Sequence, residues 1–310
     1  MVLSPMANVT DAAFRRMFAL CGKPDVFWTE FVSVEGLLSR GKEKLLPDFW
    51  FTESERPIVA QIFGAKPEQF KEIGGMICEL GFDGIDINMG CPDRGVERQG
   101  AGAALINNPK LAKEIIRALK RGAPDLPISV KTRIGYTKSE ISSWLPTLFE
   151  EDLAAVTIHL RTRKEMSNVP AHWELMREII ALRDRYAPNT LILGNGDVGT
   201  LSEAKMRINE SGADGVMIGR GIFGNPWFFS GSTPSLEERL TRMVEHTELF
   251  QELYKSNFTK EEGRLKNFDV MKKHYKAYVA GFDGAKELRA LLMEAKNAVE
   301  VRRITEEFLR

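Results

Sequence analysis

Three cysteines in 310 residues, at positions 21, 78 and 91, are too few for a disulfide framework and lack the paired short spacing of a zinc site. That argues against secretion and structural zinc, and no metal site is expected. Net charge is lacking as well. The 43 Lys and Arg balance the 43 Asp and Glu, so the whole surface does not attract nucleic acid or anionic membrane, and any such site must be a local patch. Long apolar runs are absent. Stretches such as Leu191-Ile192-Leu193 and Val216-Met217-Ile218 are far too short to cross a bilayer, and the N-terminus shows no charged-then-apolar signal pattern. A cytoplasmic protein without a membrane anchor is expected. No low-complexity tract points to disorder or a fibrous chain. What is present is an ordinary globular composition, long enough for one barrel with a small appendage.

Short β-rich runs alternate with longer amphipathic stretches, the pattern of βα units. Eight such runs occur: Val2 to Met6, Val26 to Val32, Ile58 to Gly64, Gly84 to Gly90, Pro127 to Arg133, Ala154 to Leu160, Thr190 to Gly196 and Gly215 to Arg220. Between them lie helical signatures such as Thr10 to Cys21, Lys66 to Leu80, Pro109 to Arg121, Trp173 to Tyr186 and Ser202 to Ser211. Eight units predict an α/β fold, a (β/α)8 TIM barrel. From Gly231 the β runs stop, and Leu236 to Leu253, Glu261 to Val279 and Lys286 to Phe308 read as helices. The expected division is a barrel over residues 1–230 and a small all-α domain over 231–310.

Almost every run is apolar until its last positions and then ends in something chemically specific. The endings are Pro5-Met6, Thr29-Glu30, Gln61, Asn88, Lys131, His159, Asn195-Gly196-Asp197 and Gly219-Arg220. In this fold the C-terminal strand ends open onto one face, so these scattered positions are expected to form one pocket. Cys91 follows the fourth run in Asn88-Met89-Gly90-Cys91-Pro92, on the loop above that pocket. Its thiol could be a nucleophile, a ligand or inert packing. Cys21 and Cys78 lie in apolar helical patterns and read as small buried hydrophobes. The small-residue stretch Gln99 to Leu105 allows chain or ligand to approach closely.

The last two loops carry Gly194-Asn195-Gly196-Asp197-Val198-Gly199 and Gly219-Arg220-Gly221. Loops after the seventh and eighth strands are the recurrent phosphate site of this fold, so a phosphorylated cofactor is expected. The first loop also matches the dinucleotide fingerprint, but the next strand ends in Gly219-Arg220 where that fold needs an acidic residue. Lys131 and His159, followed by Arg133 and by Arg161-Thr162-Arg163, make the face cationic. His172, His246 and His274 are given no catalytic role. In the helical region Arg264, Lys266, Lys272, Lys273, His274 and Lys276 read either as a solvated face or as contacts for an RNA backbone.

Together these motifs resemble the tRNA-dihydrouridine synthases, flavoenzymes with an FMN-binding barrel and a helical tRNA-binding domain. The likeness runs through Ser4 to Asp11, Thr29-Glu30, Gln61 to Gly64, Asn88 to Pro92, Lys131 to Arg133, His159, Arg161 to Arg163, Asn195 to Asp197, Ile218 to Arg220 and Gly224 to Trp227. It implies an enzyme that reduces tRNA uridines to 5,6-dihydrouridine with FMN and NADPH. It implies FMN contacts from Pro5, Met6, Ala7, Gln61, Asn88, Lys131, His159, Asn195, Gly196, Asp197, Gly219 and Arg220. Cys91 would be the proton donor, and Arg133, Arg161 and Arg163 would meet the substrate. No obligate protein partner is implied. The sequence departs from the family at Leu160 and over Lys164 to Pro170, where a glycine and an aromatic-glycine segment are common. Two other readings are a flavin barrel reducing a free pyrimidine or another conjugated carbonyl, and a non-catalytic RNA-binding relative. Deleting Gly231 to Arg310 is expected to abolish action on tRNA and to matter less for a small substrate.

Overall fold

A computed structural model describes residues 1–255 and 266–310. Its frame is eight parallel strands: β1 (Val2–Leu3), β2 (Phe27–Ser33), β3 (Ile58–Phe63), β4 (Gly84–Asn88), β5 (Ile128–Arg133), β6 (Ala155–His159), β7 (Leu191–Asn195) and β8 (Gly215–Ile218). They pair in the order β1-β8-β7-β6-β5-β4-β3-β2, and a bridge between Val2 and Val26 joins the two ends. The sheet thus closes into the expected TIM barrel. Around it stand α1 (Ala12–Cys21), α2 (Pro67–Glu79), α3 (Pro109–Gly122), α4 (Ile141–Phe149), α5 (Met176–Tyr186) and α6 (Leu201–Ser211).

Successive strand side chains point to opposite faces, and this alternation sorts the barrel. Ile58, Ala60 and Ile62 on β3, Ile85 and Ile87 on β4, and Val156 and Ile158 on β6 lie in the large apolar core under the helices. Each fully buried Ile or Val among them contributes roughly 1.5–3 kcal/mol. The other parity faces the lumen. Val2, Trp28, Leu193 and Met217 form a small apolar cluster there, while Gln61, Asp86 and Ser129 are polar and fully or almost fully buried. Strand register sets Gln61 beside Asp86, Asp86 beside Ser129, and Asn88 beside Lys131.

After β8 the chain turns into α7 (Leu236–Leu253), opened by a capping box in which Ser235 and Glu238 satisfy each other's backbone N–H. Then come α8 (Met271–Tyr278), α9 (Ala285–Glu294) and α10 (Ala298–Leu309). They share a second core of Leu240, Met243, Phe250, Tyr275, Leu288 and Val301, which also takes in Ala13 of α1.

Three features differ from the sequence reading, and one helix was not among those it named. The helix expected over Glu261 to Val279 falls partly outside the described residues, and within them a 3-10 turn at Phe268–Val270 leads into α8. The helix expected over Lys286 to Phe308 is two, because Ala295 is extended and the Asn297 side chain accepts the Glu300 N–H to start a new helix. Cys78 is exposed and Cys21 half-buried. The inward stripe of α2 is Phe70, Ile73, Gly74 and Ile77, which turns Cys78 away from the core. Finally, α4 forms despite Pro146 within it, on the stripe Ile141, Trp144, Leu145 and Leu148. Among the described residues no helix is long and apolar enough to cross a membrane.

Candidate active site

A cleft of about 670 Å³ opens at the C-terminal ends of the strands, lined by the ends of β1, β5, β6, β7 and β8. Its lining includes Met6, Lys131, His159, Asn195, Gly196, Asp197, Gly219 and Arg220, eight positions expected from the strand endings, together with Arg161. Ser4, Ser167, Met217 and Glu203 line it too and were not foreseen. Ser167 belongs to the segment that departs from the family pattern, so that departure reaches the cleft. Pro5, Ala7, Gln61, Asn88, Cys91, Arg133 and Arg163 are not among the lining residues.

The floor is polar and ordered. Lys131 Nζ donates to Asn195 Oδ1 at 3.2 Å, and Asn195 Nδ2 donates to the Met217 carbonyl at 2.8 Å. Burial, aided by Arg133, pulls the Lys131 ammonium down to about 8. His159 is held neutral by burial and by the cations Lys131, Arg133, Arg161 and Arg220 around it. Beneath them, burial pushes the Asp86 carboxyl up to about 6, against hydrogen bonds from Ser129 and Gln61.

At the far end, Gly196 sits at φ +132° and Asp197 at +50°, a sharp left-handed turn that glycine makes at little cost. A Cβ on Gly196 would also stand 2.7 Å from Ala171 Cβ. The Asp197 carboxylate accepts from Arg161, from the Ala171 N–H at 2.9 Å and from Arg220 at 3.2 Å. The hydrogen bond from Arg161 holds the Asp197 carboxyl below the usual carboxylate pKa range. The Arg220 guanidinium remains mostly exposed.

Cys91 stands on the rim above β4 and β5. Asn88 Oδ1 accepts the N–H groups of Gly90 at 3.1 Å and Cys91 at 2.9 Å, while Arg133 Nε donates to the Gly90 carbonyl at 2.7 Å. The loop is therefore gripped from both sides. Behind it the Ala103 N–H donates to the Cys91 carbonyl at 3.0 Å. A Cβ on Gly102 would come within 2.7 Å of that oxygen, so the small-residue stretch exists for the chain's own approach. Burial pushes the Cys91 thiol up, against a hydrogen bond from the Asp93 backbone and the charges of Arg133 and Lys131. The thiol keeps its proton at neutral pH.

The three arginines expected to meet substrate all have internal partners. Arg133 is buried and donates to the carbonyls of Gly90 and Thr162. Arg161 donates to the Val169 carbonyl and pairs with Asp197. Arg163 Nε donates to Glu97 at 2.7 Å, and its guanidinium lies over the Tyr136 ring. Among the described residues no group of three or more His, Cys, Asp or Glu is placed to hold a metal ion.

Fold and cleft together define a (β/α)8-barrel protein with a cationic pocket at the strand C-termini and a half-buried thiol on its rim. The family model for dihydrouridine synthase matches residues 2–310. A probable tRNA-dihydrouridine synthase of Staphylococcus aureus (strain MRSA252) is 43% identical over 99% of this chain and 92% of its own length. The probable tRNA-dihydrouridine synthase 2 of Bacillus subtilis (strain 168) is 44% identical, over 100% and 94%. The chain belongs to the dihydrouridine synthase family and is an oxidoreductase. Among solved structures it resembles the old yellow enzyme homologue of Zymomonas mobilis, with TM-score 0.52, 13% identity and coverage of 76% and 89%. It also resembles histamine dehydrogenase of Rhizobium sp. 4-9, with TM-score 0.55 and 11% identity, over 84% of this chain and 52% of that one. These two likenesses concern the barrel fold.

Proposed function

We propose that this protein reduces the C5–C6 double bond of uridines in tRNA, with FMN bound in the cleft and NADPH as reductant. One observation carries the reading: the family match spans barrel and helical region together, residues 2–310.

The donor set suits a flavin mononucleotide. Arg220 and the loops at residues 195–199 and 219–221 would hold its phosphate, as backbone N–H groups and an arginine do in this fold. Lys131, His159 and Asn195 would hold the ring, the lysine placing a cation where a reduced ring is anionic. When bound and reduced, the flavin supplies the hydride that adds to C6 of the uracil.

The chain's own residues do the rest. The C5–C6 bond is conjugated to the C4 carbonyl, so hydride addition at C6 leaves an enolate whose C5 requires a proton. Cys91, still protonated at neutral pH, donates it from its Sγ. Asn88 and Arg133 fix the loop that carries that thiol. The target base must leave its stack to reach the rim, and cationic groups of the helical region hold the RNA backbone meanwhile. Arg163 on the rim is a substrate contact, while Arg133 and Arg161 position the loops around it.

The test is direct. Purified protein supplied with FMN, NADPH and an unmodified tRNA transcript should convert uridine to dihydrouridine, detected by nucleoside mass spectrometry. Protein that stays colourless with FMN and leaves the transcript unchanged would overturn the proposal.

A further inference from the structure

We propose that Asp86 is a positioning residue that sets the direction of a buried hydrogen-bond chain ending on the Cys91 loop. The proposal deepens the reading above and rests on it for the duty of Cys91.

Four side chains carry it. Ser129 Oγ donates to Asp86 Oδ1 at 2.5 Å, and Gln61 Nε2 donates to Asp86 Oδ2 at 2.6 Å. Asn88 Nδ2 donates to Gln61 Oε1 at 3.0 Å. Asn88 Oδ1 then accepts the N–H groups of Gly90 and Cys91. Gln61, Asp86, Asn88 and Ser129 are all buried, so water does not readily substitute for a lost partner, and an unmade bond costs its full desolvation.

An amide can turn about its last torsion and exchange its oxygen for its nitrogen, so Gln61 and Asn88 have no direction of their own. The ends supply it. An ionised carboxylate only accepts, and a backbone N–H only donates. With Asp86 at one end, Gln61 must present its nitrogen to Asp86 and its oxygen to Asn88. Asn88 must then present its oxygen to the Cys91 loop. If both amides were reversed, the Asn88 NH2 would face two backbone N–H groups and release the loop from one side. The carboxylate thus acts on Cys91 through two amides, without touching substrate or cofactor.

The readout is the thiol itself. In the full-length protein, alkylation of Cys91 by iodoacetamide is followed by mass spectrometry of its peptide. Exposed Cys78 and half-buried Cys21 are internal controls for general loosening. In Asp86→Leu the Cys91 rate should rise about fivefold or more, the effect of losing a buried hydrogen bond, while Cys21 and Cys78 stay unchanged. Asp86→Asn should remain within about twofold of wild type, since its amide oxygen can still face Gln61 while its NH2 meets the Ser129 hydroxyl. If Asp86→Leu does not fold, Gln61→Leu cuts the same chain one link further on and should release Cys91 alike. A wild-type Cys91 rate in a folded Asp86→Leu or Gln61→Leu protein would overturn the proposal. So would an Asp86→Asn effect as large as that of Asp86→Leu, which would mean that the charge of Asp86, and not its acceptor atoms, is what matters. Dihydrouridine formation by the wild-type protein is scored separately: its absence counts against the proposed reaction, while the alkylation series still decides the role of Asp86.

Discussion

A thiol can serve as an acid only while it keeps its proton, and around Cys91 burial outweighs the nearby cations in that respect. Cys91→Ala should therefore bind yellow flavin and accept electrons from NADPH normally, yet form dihydrouridine about 10²–10⁴-fold more slowly, the usual worth of a positioned general acid. Flavin absorbance and nucleoside analysis separate the two halves, and near-wild-type turnover would remove the role. Asp86 makes a prediction about stability. The native state keeps its proton up to about pH 6, whereas an unfolded Asp loses it near 4, roughly. Between those values the native protein binds more protons, so stability falls as pH rises and the penalty is complete above about 6. Relative to wild type, Asp86→Asn should gain about 2 kcal/mol on going from pH 4 to pH 7, at roughly 1.4 kcal/mol per pKa unit. Denaturant melts at the two pH values check this, and a pH-independent difference would show that Asp86 ionises in the fold as readily as in the unfolded chain. The sequence contained a signal for this residue. In Ile85-Asp86-Ile87-Asn88 the polar positions share one parity, as do Ser129 and Lys131 on the next strand. Attention to strand ends alone passes over the layer beneath them.

At the level of elements, strands were readable because each is an apolar run ended by a polar group, and β4 to β7 fall within two residues of their predicted bounds. Helices were harder where one feature contradicts the pattern, as Pro146 does in α4 and the Asn297 cap does between α9 and α10. The basic segment of the helical region shows how far a count of charges can mislead. Arg264 lies outside the described residues. Lys266 pairs with Glu30 and Asp48, Lys272 pairs with Asp269, Lys273 donates to the Asn8 carbonyl, and His274 is buried. Lys276 instead lines a groove of about 400 Å³ with Lys286, Arg289, Ala290 and Met293, and no carboxylate is among these lining residues. Lys276→Glu with Lys286→Glu should weaken tRNA binding and reduce the salt dependence of its affinity by about two phosphate contacts. Filter binding across a salt series measures it, and an unchanged slope would place the RNA elsewhere.

For the molecule as a whole, zero net charge conceals a charged seam between barrel and helices. Lys266 lies against Glu30 and, at 2.7 Å, Asp48, with its ammonium over the Tyr254 ring. Burial raises Glu30 to about 7 despite that lysine. The Tyr254 hydroxyl accepts the Ala12 N–H, and Lys273 donates to the carbonyl of Asn8, whose own N–H donates to Glu30. The helical region thereby braces the loop after β1, which carries Met6 into the cleft. Lys266→Ala strands two carboxylates in this seam and should cost about 3 kcal/mol or more. Adding Glu30→Gln should restore part of it, and melts of the single and double variants measure the coupling. Deleting Gly231 to Arg310 would remove these supports along with any RNA contacts, so it would disturb small-substrate activity more than the sequence alone led one to expect.

The sequence by itself determined the barrel, the convergence of the strand endings and the placement of Cys91 on a rim loop, because period-two alternation and strand-terminal polarity are local properties of the chain. Only the tertiary structure decided which charges are free. Arg133, Arg161 and Arg163 have internal partners, while Asp86 meets Gln61 and Ser129 across neighbouring strands. Such pairings join residues 25 to 66 positions apart. Whether a buried charge finds its partner depends on the closed barrel's geometry, which no local pattern encodes.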